Sequence, residues 1–275
     1  MGANMVRRLI KGGHEGVVYD RSEKMVKDLI RGSPGRQVGG GSFMRMEVLS
    51  NAEAVAKRAA AVIAEEARAA VAARGRFLMA VSGGKTPWIM LRALADEAVP
   101  WKQVHVVQVD ERVAPAGHAD RNLTHLREAL LEHAPLREEQ IHAMIVESTD
   151  LEAAAGRYAA TLEELAGSPP VLDLVHLGLG SDGHTASLVP GDPVLKVADR
   201  DVAITGVYQG RQRMTLTYPM INRSRNILWV VTGAEKVPML KRLRDADVSI
   251  PAGRIRQDPA LILADRAAAG EVAPK

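Results

Sequence analysis

The chain has 275 residues, 47% of them hydrophobic, and a formal net charge of +3, enough for one large α/β domain or two small ones. Cysteine is absent, which excludes disulfides, zinc–thiolate centres and cysteine nucleophiles, and aromatics are only 3%, so the core has to be aliphatic. The basic residues are dispersed, no run approaches the roughly 18 apolar residues of a membrane span and no secretory signal opens the chain, so nucleic acid and membrane are not expected partners and a cytoplasmic location is expected.

Residues 1–43 differ from the rest. Ala3 to Ile10 reads as a short helix stopped at Gly12-Gly13, and Gly16 to Tyr19 as a strand ending at Asp20. Arg31 to Ser42 is rich in glycine, serine and proline and reads as a linker. The segment Met1-Gly-Ala-Asn-Met-Val-Arg-Arg-Leu, with Gly13-His-Glu and Val17-Val-Tyr-Asp-Arg-Ser22, resembles the start of 6-phosphogluconate dehydrogenases over about the first 30 residues. The first strand and the first glycines of that dinucleotide fold are missing, and a phosphate-binding turn without its strand cannot be positioned. Residues 1–43 are therefore expected to be a remnant, a fusion scar or a misplaced start rather than an active cofactor domain, and residues 44–275 the working domain.

That domain opens with a helix over Asn51 to Ala73, capped by Ser50 or Asn51. Phe77 to Val81 is a short buried strand running into Ser82-Gly-Gly-Lys-Thr-Pro87, and helical spacing resumes at Trp88. A strand, a glycine turn and a helix start form an anion site: N–H groups of Gly83, Gly84 and the helix N-terminus point at the ligand, with the hydroxyls of Ser82 and Thr86 added. The bland alternative is an ordinary tight turn. Val104 to Val109 is the next strand, followed by Asp110-Glu111-Arg112 and then His118, Asp120 and Asn122. Those charges are either a solvated ion-paired turn or a grip for a phosphate or carboxylate. Leu123 to His133 and Leu151 to Ala166 read as helices, and Ile141 to Met144 as a short strand.

The most informative stretch is Leu172 to Pro190, an apolar strand ending in Gly178-Leu-Gly-Ser-Asp-Gly-His184. His184 has three readings: a solvated or capping loop residue, a phosphate contact in a dinucleotide fold, or a general base held by Asp182. The glycine spacing matches G-x-G-x-x-G, but Pro190-Gly-Asp-Pro193 interrupts the helix a dinucleotide site needs before its acidic residue. Val202 to Val207, Arg213 to Thr217, Asn226 to Thr232 and Leu261 to Ala264 read as strands, with a helix from Val237 to Leu243 after Gly233-Ala-Glu-Lys236. Alternating strands and helices with short connections give an α/β, Rossmann-like doubly wound fold, a mostly parallel sheet with helices on both faces.

Ser82-Gly-Gly-Lys-Thr-Pro, Val109-Asp-Glu-Arg, His118 with Asn122, Leu177-Gly-Leu-Gly-Ser-Asp-Gly-His-Thr-Ala-Ser-Leu, Arg213-Met-Thr-Leu-Thr and Thr232-Gly-Ala-Glu-Lys together resemble the 6-phosphogluconolactonase family over Met46 to Ala268. That family shares a superfamily with glucosamine-6-phosphate deaminase, whose Asp-Glu-Tyr pattern is replaced here by Asp-Glu-Arg. Val189 stands where the family usually has Phe, and Arg121 where Ser usually precedes the Asn.

The resemblance implies hydrolysis of 6-phospho-D-glucono-1,5-lactone in the oxidative pentose phosphate pathway, beside that pathway's other enzymes. His184 would be the base and Asp182 its orienter, with Arg112 or backbone N–H groups at the oxyanion and Asp110 and Glu111 as further catalytic residues that order their neighbours. Ser82, Gly83, Gly84, Thr86, His118, Asn122, Arg213 and Lys236 would bind substrate. No cofactor or metal is expected, since the histidines and acids form no ligand-spaced motif such as H-E-x-x-H. An amino-sugar-phosphate deaminase or isomerase, or a non-catalytic sugar-phosphate sensor, are the alternatives.

Overall fold

A computed structural model describes residues 44–271; the helix, strand and linker expected before Met44 lie outside the described residues. The first described strand, β1 (Arg45–Leu49), leads to α1 (Ala52–Arg74). Asn51 caps α1, its side chain accepting the Ala54 N–H at 2.9 Å, and Gly75 ends it at φ +76°, where a side chain would be strained. Along α1, Val55, Ala56, Ala59, Ile63 and Ala67 recur at helical spacing and are all fully buried.

β2 (Phe77–Val81) and α2 (Lys85–Leu94) follow, then β3 (Val104–Gln108), β4 (Asp110–Arg112) and α3 (Asn122–Leu126), which continues as a π-helical turn over Arg127–Leu131. β5 (Ile141–His142), α4 (Leu151–Ala166) and β6 (Leu174–Leu177) complete the first half. The second holds β7 (Val202–Ile204), β8 (Arg213–Leu216), α5 (Tyr218–Arg223), β9 (Asn226–Val231), α6 (Val237–Arg244), β10 (Ala260–Asp265) and α7 (Arg266–Ala269).

Seven strands form one parallel sheet in the order β1-β10-β9-β6-β2-β3-β5. Side chains alternate across it, so each strand feeds two cores. In β2, Phe77, Met79 and Val81 pack with α1 and α2, while Leu78 and Ala80 pack with Tyr158 and Leu162 of α4 and Leu240 of α6. Burial on both faces explains why these strands read as continuous apolar runs.

Two features differ from the sequence expectation. β1 and the four-residue α7 were not anticipated; β1 is a partly exposed edge strand and α7 is too short for a period. The strands expected near 202–207 and 213–217 do not enter the parallel sheet. β7, β8 and β4 form a separate three-stranded antiparallel sheet in the order β4-β8-β7. The chain leaves the main sheet at Val109, and Asp110-Glu-Arg112 is a strand rather than a turn.

Asp173 fastens one end of this assembly. Its side chain is 6% exposed, and its carboxylate accepts the Leu78 N–H at 2.9 Å and Arg74 Nη2 at 2.7 Å and lies 3.4 Å from Arg225 Nε. It thus joins the end of α1, the start of β2 and the chain entering β9. The arginines are partly solvated, so the buried N–H dominates its contribution. Asp173→Ala is expected to lower unfolding free energy by about 1–3 kcal/mol in urea titrations, the cost of leaving that N–H unpaired, while the folded fraction keeps its activity.

Candidate active site

From β2 the chain winds outward through β3 and β5, then returns to β6 on β2's other side and winds outward through β9 and β10. The reversal leaves a crevice beyond the carboxyl ends of β2 and β6, where open α/β sheets bind ligands. A cleft of about 710 Å³ occupies it. Its walls come from the turn after β2, the loop after β6, the ends of β4 and β8, and the turn after β9.

The turn after β2 carries Ser82, Gly83, Gly84 and Thr86, all lining the cleft. Lys85 and Thr86 open α2, and their N–H groups have no intrahelical acceptor by position. Ser82 can offer a ligand its hydroxyl only. Its N–H donates to His176 Nδ1 at 3.2 Å and is not available to a ligand, although its hydroxyl is buried without a partner among the described residues. His176 is fully buried on β6, and burial drives its pKa down to about 3, so the ring is neutral. Thr86 shares a 2.7 Å hydroxyl–hydroxyl bond with Thr232. Gly83 is required by packing: a Cβ there would fall 2.1 Å from Asn122 Oδ1. Lys236 lines the same end, 21% exposed, with Nζ 3.8 Å from the Glu235 carboxylate.

The opposite wall is the β4–β8 ladder, in which Arg112 stands directly across from Arg213. Both line the cleft. Arg112 Nη1 donates to Asn122 Oδ1 at 2.7 Å. Arg213 is 4% exposed, and its Nε has no partner among the described residues. Burial, then the neighbouring Arg112 charge, lower the Arg213 pKa from the ordinary arginine value. Two opposed guanidiniums with a buried unmatched donor favour an anion between or before them. Asp110 is buried at the cleft wall, where its carboxylate accepts the Ser187 hydroxyl at 2.6 Å.

Glu111 and His118 do not line the cleft. Glu111 is fully buried beneath it: one oxygen accepts the N–H groups of Arg112 and Asn122, the other those of Leu123 and the Gln108 amide, and Arg121 Nε lies 3.1 Å away. With every lone pair engaged, it holds the backbone that presents Arg112 and Asn122 and cannot reach substrate. His118 is exposed, accepting the Asp120 N–H and lying 3.3 Å from Arg211. Arg121, the departure from the family pattern, does not line the cleft; it pairs with buried Glu111 on one side and with the exposed Glu147 on the other.

The loop after β6 carries His184. Its Nδ1 lies 2.6 Å from Asp182 Oδ1, whose other oxygen accepts the Tyr208 hydroxyl at 3.0 Å. Burial works against the Asp182 carboxylate. The His184 N–H, the imidazole and the Tyr208 hydroxyl outweigh it and hold its pKa below the ordinary value. An ionised carboxylate only accepts, so in the neutral imidazole the proton is the one on Nδ1 and Nε2 carries the lone pair. Gly180 allows this packing, since a Cβ there would meet His184 Nδ1 at 2.1 Å. Tyr208 and His176 were not singled out from sequence. Tyr208 carried one signal, an aromatic beside a Gln-Gly turn in an aromatic-poor chain; His176 lies inside an apolar run and carried none. Among the described residues no group of three or more His, Asp or Glu stands close enough to share a metal ion.

Known proteins are similar to this chain in sequence and in fold. The family profile described as glucosamine-6-phosphate isomerases/6-phosphogluconolactonase matches residues 50–263. A 6-phosphogluconolactonase of Synechocystis sp. is 39% identical over 196 residues, 70% of this chain and 81% of that protein. One from Nostoc sp. is 35% identical over 235 residues, 82% of this chain and 98% of that protein. The solved 6-phosphogluconolactonase of Trypanosoma cruzi superposes with a TM-score of 0.75 at 25% identity, covering 85% of this chain and 99% of that one. With a cleft at the sheet's reversal point and relatives aligned along most of their own length, this chain belongs to the glucosamine-6-phosphate isomerase/6-phosphogluconolactonase family.

Proposed function

We propose that this cleft hydrolyses 6-phospho-D-glucono-1,5-lactone to 6-phospho-D-gluconate, the reaction of the oxidative pentose phosphate pathway after which the relatives are named. The observation that carries it is a histidine oriented by a carboxylate, with a free Nε2, in the same cleft as several cationic and N–H groups. The phosphate, with roughly two negative charges at pH 7, lies against the turn of Gly83, Gly84 and Thr86, with Lys236 and Arg213 as counter-charges. Water attacks the lactone C1 while His184 Nε2 takes its proton. Arg112 or loop N–H groups bear the oxyanion charge. The intermediate then expels the ring oxygen, breaking the C1–O bond, and the imidazolium returns the proton to that oxygen. The new carboxylic acid ionises, so the net reaction releases one proton. A cytoplasmic setting beside the pathway's other enzymes belongs to the same proposal; the cysteine-free chain is compatible with a reducing compartment.

General-base catalysis contributes roughly 10²–10⁴-fold. His184→Asn is therefore expected to lose turnover on that scale in a proton-release assay on freshly generated lactone, while its affinity for 6-phosphogluconate by calorimetry is kept. Near-wild-type turnover would move the base elsewhere.

Gly83→Val does not isolate phosphate binding, because the new side chain strikes Asn122 first. Lys236→Ala does: it is expected to raise KM for the phosphorylated lactone roughly tenfold, the scale of one charge-assisted contact, and to leave unphosphorylated gluconolactone unchanged. Equal effects on both lactones would place the phosphate away from Lys236.

All residues given roles lie between Gly83 and Lys236, and we propose that residues 1–43 take no part in the reaction. Removing them is expected to leave turnover unchanged, and the intact chain should show no NADP binding by calorimetry. Micromolar binding lost on removal would give that segment a cofactor role.

A further inference from the structure

Between β7 and β8 the chain makes a tight turn, Tyr208-Gln-Gly-Arg211. Tyr208 and Arg211 form an antiparallel bridge, the N–H of each donating to the carbonyl of the other at 2.9 and 3.3 Å. Gln209 and Gly210 between them both have positive φ, +51° and +79°, which matches the primed turn favoured in two-residue hairpins. Each remaining side chain of the turn is also tied down. Gln209 accepts Arg213 Nη2 at 3.2 Å, and Arg211 Nε donates to Asp120 at 2.8 Å. A turn held this way fixes where the Tyr208 ring stands.

That ring touches both chemical ends of the wall. The Arg213 guanidinium carbon lies 4.9 Å above its centroid, and the His184 ring meets it edge-on, with centroids 5.6 Å apart. Its hydroxyl reaches Asp182 Oδ2 at 3.0 Å while Oδ1 of the same carboxylate receives His184. Burial, then the Asp182 charge, push the phenol pKa above its ordinary value, so the hydroxyl keeps its proton and donates. A carboxylate gripped at one oxygen only can swing about its Cβ–Cγ bond. Gripped at both, it has a single orientation to offer the imidazole.

We propose that Tyr208 is a positioning residue for catalysis, the third member of a Tyr208–Asp182–His184 chain that fixes the orientation of the imidazole in the cleft. The proposal rests on His184 as the base. Tyr208 also shares some of the Asp182 charge, which moderates how strongly that carboxylate stabilises the imidazolium.

Tyr208→Phe removes the hydroxyl and keeps the ring under Arg213 and beside His184. Loss of one charge-assisted hydrogen bond corresponds to roughly a tenfold fall in kcat. KM, affinity for 6-phosphogluconate and Tm are expected to stay at wild-type values. The acid limb of kcat is expected to move to higher pH, because Asp182 then presents more of its charge to the imidazolium. In a His184→Asn background the same substitution should cause no further loss. A Tyr208→Phe enzyme with wild-type kcat and an unmoved acid limb, beside a His184→Asn enzyme that has collapsed, overturns the proposal alone. Equal losses in both backgrounds also overturn it, since Tyr208 would then act without His184. Retained turnover in His184→Asn overturns the base assignment and this proposal with it.

Discussion

The reversal of winding between β2 and β6 is the constraint on which the site depends. The helix after β2 packs on one face of the sheet, where Met90, Leu91 and Leu94 join α1. The chain after β6 packs on the other, where Met220 and Ile221 join α4. Two adjacent parallel strands whose continuations part to opposite faces leave an opening that neither continuation can fill. The turns after β2, β6 and β9 reach its edge, and each brings glycines to the rim: Gly83 and Gly84, Gly178 and Gly180, and Gly233. Everything chemical is delivered to this place by elements that have no other reason to meet.

The antiparallel sheet β4-β8-β7 is the main such delivery. Like charges directly opposite each other weaken a ladder, yet Arg112 faces Arg213 with no acid between them in register. The structure tolerates this by anchoring each partner separately. Glu111, buried and fully hydrogen-bonded, fixes the backbone under Arg112, and Asn122 takes the guanidinium. The Arg213 N–H is held by Thr205 Oγ1, and its side chain lies against Tyr208. Asp110 contributes attraction to Arg213 without neutralising it, being itself engaged by Ser187. A pair of cations kept apart from counter-ions in this way is matched by an incoming phosphate or by charge that develops during the reaction.

Phe77–Val81 and Asn226–Val231 were legible because strands buried on both faces are unbroken apolar runs bounded by turn residues. The two glycine loops were legible because glycine marks where backbone must turn or be approached. The small sheet was not, because nothing in Val109-Asp110 marks a strand leaving one sheet for another; its pairing to β8 is set by residues a hundred positions away. Glu111 read as a candidate for chemistry for the same reason: a charge at a strand's end looks alike in sequence whether it meets water, ligand or four internal donors. Arg121 read only as a departure beside Asn122, and only the fold shows its buried side chain joining Glu111 to Glu147.

His176 carries a consequence for how the molecule meets acid. In the unfolded chain this imidazole has an ordinary pKa of about 6.5, whereas burial depresses it to about 3 in the fold. Its contribution to stability is fully present above the unfolded value. As pH falls from there toward 3, the unfolded chain takes up a proton that the folded one refuses, and the contribution is progressively lost. The ring that accepts the Ser82 N–H therefore stays neutral for as long as the domain is folded across that interval. Acid therefore acts on this part of the turn after β2 by lowering the stability of the whole domain, and does not protonate the buried ring in a folded molecule over that interval.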